Sequence, residues 1–275
     1  MMFYRVSSLR FFIVVLIFFS SLSPGAAQCE ENTPQAGNES PQKWDVTLGG
    51  GTLIKPSYEG SDRYCLSPAP LINIVWNDMI SLSTDGLSIY WDHGDLTLGG
   101  GLVYNGGRRD GNGSSLLYDS DNRLRGLGDI DAAMGLKAFA TYDIKQFELA
   151  TSVTKLTGTN NDGVLADVDL SASLEVTKQL ILKPHIGATW ADQDYMQTYF
   201  GVTSAQSMRS RFQRFNAEAG IKDVVAGLNT SYFFNRNWFV TTNIDLTRLV
   251  GDAARSPVSF SDCQTVVTAM IGYHF

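Results

Sequence analysis

The chain has 275 residues, of which 44% are hydrophobic, 11% aromatic and 18% charged, and its mean hydropathy is -0.06. That polarity excludes a bundle of membrane helices, while Phe 15, Tyr 11 and Trp 5 exclude a disordered chain. A net charge of -7 argues against nucleic acid as a partner, because nucleic acid is held chiefly by Lys and Arg on phosphates.

Residues 1–27 read as a signal peptide. Arg5 and Arg10 precede an apolar run over 11–19, and Gly25, Ala26 and Ala27 supply the small residues of a cleavage site. The run is too short to span a bilayer, which takes about 20 residues. Cleavage after Ala27 leaves 275 - 27 = 248 residues. A lipoprotein reading on Cys29 is the weaker alternative, since Gln28 stands where lipidation calls for Gly or Ala. Residues 28–43 contain Glu30, Glu31, Pro34, Gly37 and Pro41 and no large apolar side chain, which predicts a flexible periplasmic leader.

From Trp44 onward apolar and polar residues alternate, most clearly over 164–176, where Val164, Ala166, Val168, Leu170, Ala172, Leu174 and Val176 share one phase. Alternation is the mark of strands with one greasy and one wet face. Segments 44–54, 95–104, 130–142, 146–156, 164–177, 180–190, 217–234, 237–248 and 264–275 follow it. A soluble sandwich or closed barrel would also alternate, but three features favour a transmembrane β-barrel in the region 44–275. The segments exceed the usual ~5–6 residues. Trp44, Tyr142, Trp190, Tyr232, Phe234 and Trp238 sit on the apolar phase near segment ends. Tight turns at 143–145, 178–179 and 235–237 alternate with long polar loops at 105–129, 157–163, 192–214 and 250–262. The expectation is an all-β antiparallel barrel of 10 strands, with 12 as the alternative, because 66–76 and 79–91 can supply one strand or three. A phase slip near Lys222 and Asp223 predicts a β-bulge.

On the wet, lumen-facing phase fall Asp45, Asp131, Lys137, Glu148, Asp167, Asp169, Glu175, Lys183, His185 and Asp245. Such an acidic set suits a small cation-preferring pore. It equally suits a narrow lumen plugged by paired charges, which is favoured because ten to twelve strands enclose far less space than an open porin's. Of His93, His185 and His274 only His185 has this phase, near Ser171 or Ser173 and an acid such as Asp169. A wet histidine bonded to its neighbours explains it equally well, so no catalytic residue and no enzyme is expected.

Loop 192–214 combines Asp192, Asp194, Tyr195, Tyr199 and Phe200 with Arg209, Arg211 and Arg214. It could contact saccharide or protein; the favoured reading is a loop folded inward on its own hydrophobics. Asp110, Asp119, Asp121 and Asp129 crowd loop 105–129, where a calcium or lipopolysaccharide-bridging cation is conceivable. Their spacing fits no known calcium loop, and neither metal nor cofactor is expected. Cys65 and Cys263 flank strands that become near neighbours on closure, and an oxidising periplasm would permit a Cys65–Cys263 disulfide, leaving Cys29 odd; the favoured alternative is three unrelated thiols.

Five stretches carry a family resemblance: 56–62, with Tyr58, Glu59, Gly60, Ser61 and Asp62; Pro68-Ala69-Pro70; 126–132, with Asp129; 190–202, with Asp192, Asp194, Tyr195, Met196, Tyr199 and Phe200; and 251–257, opening with Gly251 and Asp252. Over 44–275 the chain resembles the MipA/OmpV family of Gram-negative outer-membrane proteins. Cys65 and Cys263 are not part of that family's pattern. The end of the chain, with Tyr273 and Phe275, is similar to the C-terminal assembly signal of outer-membrane barrels. The resemblance implies a non-enzymatic barrel among outer-membrane lipid and lipopolysaccharide, inserted by the barrel assembly machinery. It further implies a scaffold for murein (peptidoglycan) hydrolases and synthases, with a lytic transglycosylase and a penicillin-binding protein as partners. Porin-like and adhesin functions are the family's alternatives.

Overall fold

Alternating residues become strands in a computed structural model that describes residues 44–111 and 119–275. The expected signal peptide and leader lie outside the described residues. Twelve strands follow in chain order: β1 Trp44–Pro56, β2 Tyr64–Trp76, β3 Ile80–Ser83, β4 Gly86–His93, β5 Leu96–Asn105, β6 Ala133–Ile144, β7 Phe147–Thr157, β8 Gly163–Ala172, β9 Leu180–Ala191, β10 Gly220–Phe233, β11 Trp238–Leu249 and β12 Cys263–His274. Each pairs antiparallel with its neighbour in the chain, and β12 pairs with β1 to close the ring. A further two-residue strand, Leu174–Glu175, lies outside the ring order and pairs only with β9.

The ring therefore has twelve strands, not the ten expected. The difference lies between β1 and β5, where the chain makes three strands instead of one. Asn77 and Asp78 turn the chain with φ of 53° and 52°, and β3 has only four residues, Ile80-Ser81-Leu82-Ser83. So short a segment shows too little alternation to be distinguished from a turn.

Apart from the Thr84–Asp85 turn of the short β3–β4 hairpin, the tight turns and both described chain ends gather at one end of the barrel, the long loops at the other. At the turn end Trp44 lies 6.3 Å from Trp76, Trp238 5.0 Å from Tyr273 and Tyr273 4.8 Å from Phe275. Tyr64, Tyr104 and Trp190 are exposed near the loop end. Between these two belts the outer face exposes Ile72, Leu98, Leu136, Val168 and Ile244, while Thr47, Ser152, Thr154, Ser231 and Thr241 are buried inside. An apolar outer band between aromatic girdles around a polar interior is the inversion a lipid-embedded barrel requires.

Two glycine triplets let neighbouring strands approach closely. Gly49 and Gly51 share the inward phase of Thr47 and Leu53, and a Cβ on them would lie 2.1 Å from the Ile271 carbonyl oxygen and 1.9 Å from that of Ala269. Gly101 on β5 stands in the same relation to the Leu87 carbonyl oxygen, at 2.6 Å. Between β1 and β5, β2 runs on past the short β3–β4 hairpin, its last paired residue being Asn73 opposite Ser83. Thr84 closes the step: its N–H donates to the Ile72 carbonyl at 3.0 Å, and its hydroxyl bridges the Ile72 N–H and the Pro70 carbonyl, each at 3.2 Å. Successive residues of a strand direct their N–H groups to opposite sides, so Pro68 and Pro70 share the edge of Ile72. Proline has no N–H, and two donors that would have faced an unpaired edge are thereby absent.

Gly51→Val should abolish most of the folded, heat-modifiable form on gel electrophoresis. Gly50→Val, whose Cβ meets only the Ala69 carbonyl at 3.6 Å, should keep it. Equal behaviour of the two variants would contradict the account of the seam.

Candidate functional site

The loop end is covered by a cap built from the loops 57–63, 106–132, 192–219 and 250–262. Helix α1, Gln193–Phe200, is started by Asp192, whose side chain accepts the Tyr195 N–H at 2.9 Å. Helix α2, Ser204–Arg209, starts with a capping box between Thr203 and Gln206, and α3, Gly251–Arg255, follows Val250. Tyr195, Met196, Tyr199 and Phe200 lie on one face of α1 and are buried against Leu156, Leu165, Ala191, Ala217, Leu249 and Ala253 around the barrel rim. Tyr58, Leu124, Leu127, Val202, Phe212 and Val258 form a second apolar cluster. The loop 192–214 is therefore folded over the mouth, as its hydrophobics suggested. Ser256 bolts the loop 250–262 to it by donating to the Phe200 carbonyl at 2.5 Å.

Charges tie the cap to the wall. The bulge expected in β10 falls opposite Thr189 and Trp190, and it turns both Lys222 and Asp223 inward. The Lys222 ammonium donates to Glu59 and to Asp223, and Glu59 also accepts the Tyr195 hydroxyl at 3.1 Å. Burial pushes the Glu59 carboxyl above its ordinary value, against the pull of Lys222. Nearby, Lys55 pairs with Asp119 at 2.6 Å, and Arg108 donates to the Tyr199 carbonyl at 2.8 Å. Arg123 holds Asp62 at 2.6 Å, Asp121 at 2.8 Å and the Ser61 hydroxyl at 3.1 Å.

The family-motif residues thus meet in one body. Tyr58 donates to the Val258 carbonyl at 2.9 Å. Gly60, at φ 99°, accepts the N–H groups of Phe260 and Ser261. Gly251 turns at φ 55°. Asp252 accepts the Glu218 N–H at 2.8 Å, while Asp194 is exposed in the first turn of α1. The carboxylates once considered for a cation are bound to protein donors instead. Asp110 accepts from Gly126 and Gly128, both at 3.1 Å, and Asp129 accepts from Arg109 and the Asp110 N–H, both at 2.9 Å. Among the described residues no group of three or more His, Cys, Asp and Glu could hold a metal.

Below the cap the lumen is lined with polar groups, most of them paired. Lys183 meets Glu148 at 3.2 Å, Asp167 accepts from Ser152 at 2.9 Å and Thr189 at 3.1 Å, and Asn243 donates to Asp245 at 2.7 Å. Lys137 is buried within reach of Asp167 and Asp85. Asp169 lies against Gly187, and Asp45 sits at the turn end, 3.4 Å from His274. Two expected members are elsewhere. Asp131 precedes β6 and its N–H is taken by Asn160 in the cap, because the strand begins only at Ala133. Glu175 is exposed in the short strand beside β9.

Ser171 stands opposite His185 in the β8–β9 register, yet the pair is not a nucleophile and base. The His185 ring lies 3.1 Å from Asp245 and is bonded also to the Lys183 backbone, and among the described residues the Ser171 hydroxyl has no hydrogen-bond partner. The Cys65–Cys263 disulfide is not formed either. Cys65 and Cys263 are free thiols, and β1 stands between β2 and β12. Closure makes their strands second neighbours, one strand too far apart.

Residues 48–275 match the family described as MltA-interacting protein MipA. The chain belongs to this family. It is 27% identical over 165 residues to outer membrane protein Omp26La of Vibrio anguillarum, covering 59% of this chain and 63% of that one. Outer membrane protein OmpV of Vibrio cholerae gives the same figures, so the chain spans under two thirds of the length of these two relatives. The MltA-interacting protein of Escherichia coli K12 is 24% identical over 252 residues, covering 83% of this chain and 90% of the relative. Among solved structures, an outer-membrane channel from Pseudomonas putida F1 aligns with a TM-score of 0.43 and 11% identity, over 89% of this chain and all of the other. The family member is an outer-membrane β-barrel, and in such barrels short turns face the periplasm and long loops the exterior.

Three cap carboxylates are held below the ordinary value of 3.8: Asp129 by the Asp110 N–H and Arg109, Asp252 by the Glu218 N–H and Arg255, and Asp121 because bonds from Arg123 outweigh its burial. A depressed folded-state pKa stabilises above the unfolded value and ceases to as pH falls through the folded one. Hydrogen exchange of residues 251–255, corrected for intrinsic rates, should therefore change little between pH 7 and about pH 5 and rise as the pH falls through and below the ordinary carboxylate value of 3.8. A rise between pH 7 and 5 would contradict this assignment.

Proposed function

We propose that this barrel is a non-enzymatic scaffold for murein hydrolase and synthase machinery, acting through its periplasmic turns. The observation that carries the reading is the sealed outer mouth. With α1 and its apolar cluster buried over the rim and the lumen charges paired, the molecule is poorly suited to conduct. Among the described residues its accessible features at the turn end are the tight turns and the aromatic belt around Trp44 and Phe275. The name of the Escherichia coli relative, MltA-interacting protein, supports a lytic transglycosylase as one partner; a penicillin-binding protein is the second we propose. Tyr273 and Phe275, at the free end of β12 where Phe275 N–H donates to the Val46 carbonyl at 3.0 Å, are the proposed signal for the barrel assembly machinery.

The immobilised mature protein should retain a purified lytic transglycosylase, against an unrelated outer-membrane barrel in the same detergent. Failure to retain it would count against the scaffold. In planar bilayers the protein should give no steady current. Steady cation-selective conductance that falls on Asp167→Asn with Asp169→Asn would instead support the channel reading.

A further inference from the structure

Most exposed cations at the loop end face a carboxylate. Arg63 meets Asp121, Arg109 meets Asp129, Lys155 meets Asp162, Arg248 meets Asp262 and Arg255 meets Asp252. Such pairs leave little net field on the outer surface. Arg125, Arg211 and Arg214 break this pattern: all three are exposed, and among the described residues none forms an ion pair. Arg209 beside them donates only to neutral groups, the Gly126 carbonyl at 2.7 Å and the Leu127 carbonyl at 3.4 Å.

These four residues belong to one surface. Gly126 is seated directly on the backbone of Arg209 and Ser210, leaving no room for a Cβ, which sets Arg125 beside the segment that carries Arg209, Arg211 and Arg214. Of the carboxylates nearby, Asp110 is occupied by the N–H groups of Gly126 and Gly128, and Asp62 and Asp121 are held by Arg123. Arg211 is held over the rings of Phe212 and Phe260, at 5.3 Å and 5.1 Å, and Arg123 covers Phe260 at 4.1 Å. Phe260 is 36% exposed. The surface therefore offers one unneutralised guanidinium, Arg211, against the exposed edge of Phe260, with Arg125 and Arg214 exposed and unpaired among the described residues on the same and the adjoining loop, on a chain whose net charge is -7.

Guanidinium forks match the paired oxygens of phosphate and sulfate, and an aromatic ring offers an apolar surface to a sugar. We propose that the outer face of the cap, at Arg125, Arg211, Arg214 and Phe260, is a binding site for an anionic saccharide bearing phosphate or sulfate groups. The site lies on the opposite end of the molecule from the periplasmic turns, and its failure would leave the scaffold reading untouched.

Two probes separate the sources of that chemistry: a deacylated, phosphorylated lipopolysaccharide core and a heparin oligosaccharide. Titration of the folded protein with each should show salt-sensitive binding to at least one. Arg125→Gln, Arg211→Gln and Arg214→Gln together should weaken it roughly tenfold or more. Arg248→Gln with Arg255→Gln removes charge at paired arginines and should leave binding nearly unchanged. Phe260→Leu should weaken saccharide binding more than binding of inorganic pyrophosphate. Resistance of the cap to protease reports whether each variant stays folded. Absence of binding by both probes would overturn the proposal. So would a triple variant that stays folded and binds like the parent, or equal losses in the triple and control variants.

Discussion

A strand in hydrocarbon has no water to take up its N–H and C=O groups, and each unsatisfied group costs several kcal/mol. The sheet must therefore close on itself, and the rest of this molecule is arranged around that requirement. Gly49 and Gly51 allow β1 to approach β12 where any side chain would strike its backbone. Where β3 is too short to cover β2, Thr84 completes the pairing at Ile72 and Pro70, and Pro68 and Pro70 remove donors that would have been left open. The same residues that look like turn signals in the sequence here protect an edge.

Closure gives a ring, and in this molecule the loops cover its outer mouth. The cap does this with two apolar clusters and a buried charge set centred on Lys222, Glu59 and Asp223. Removing one member of such a buried set typically costs about 3–5 kcal/mol, because the charges left behind have no compensation. The bulge in β10 is what makes the set possible, since an uninterrupted strand would send one of two successive residues into lipid. Position in the membrane thus fixes the wall, and the bulge fixes the cap to it.

Much of this was legible in the chain itself. Alternation located the long strands to within a few residues, and the phase slip at Lys222 and Asp223 located the bulge, though not its purpose: two adjacent charges read as an interruption until a partner such as Glu59 is known. The strand number was missed because Ile80–Ser83 is shorter than the pattern that would reveal it. Asp131 reads as a lumen residue because the alternation of β6 extends two residues ahead of the strand's start at Ala133, whereas Asn160 holds that backbone in the cap. The repeated triplets at 49–51 and 99–101 were a signal for close strand approach that strand periodicity does not register. Pairings between distant loops, such as Tyr195 with Glu59 or Ser256 with Phe200, leave no local trace at all.

The central claim is that the cap stays shut over the barrel in the membrane, held by Lys222. Ala217, fully buried beneath α1, offers a direct reading once Cys29, Cys65 and Cys263 are replaced by Ser. With Ala217→Cys in intact cells, a membrane-impermeant maleimide added outside should fail to label the thiol. The same thiol should become reactive when Lys222→Ala is added. Rapid labelling with Lys222 in place would contradict the account.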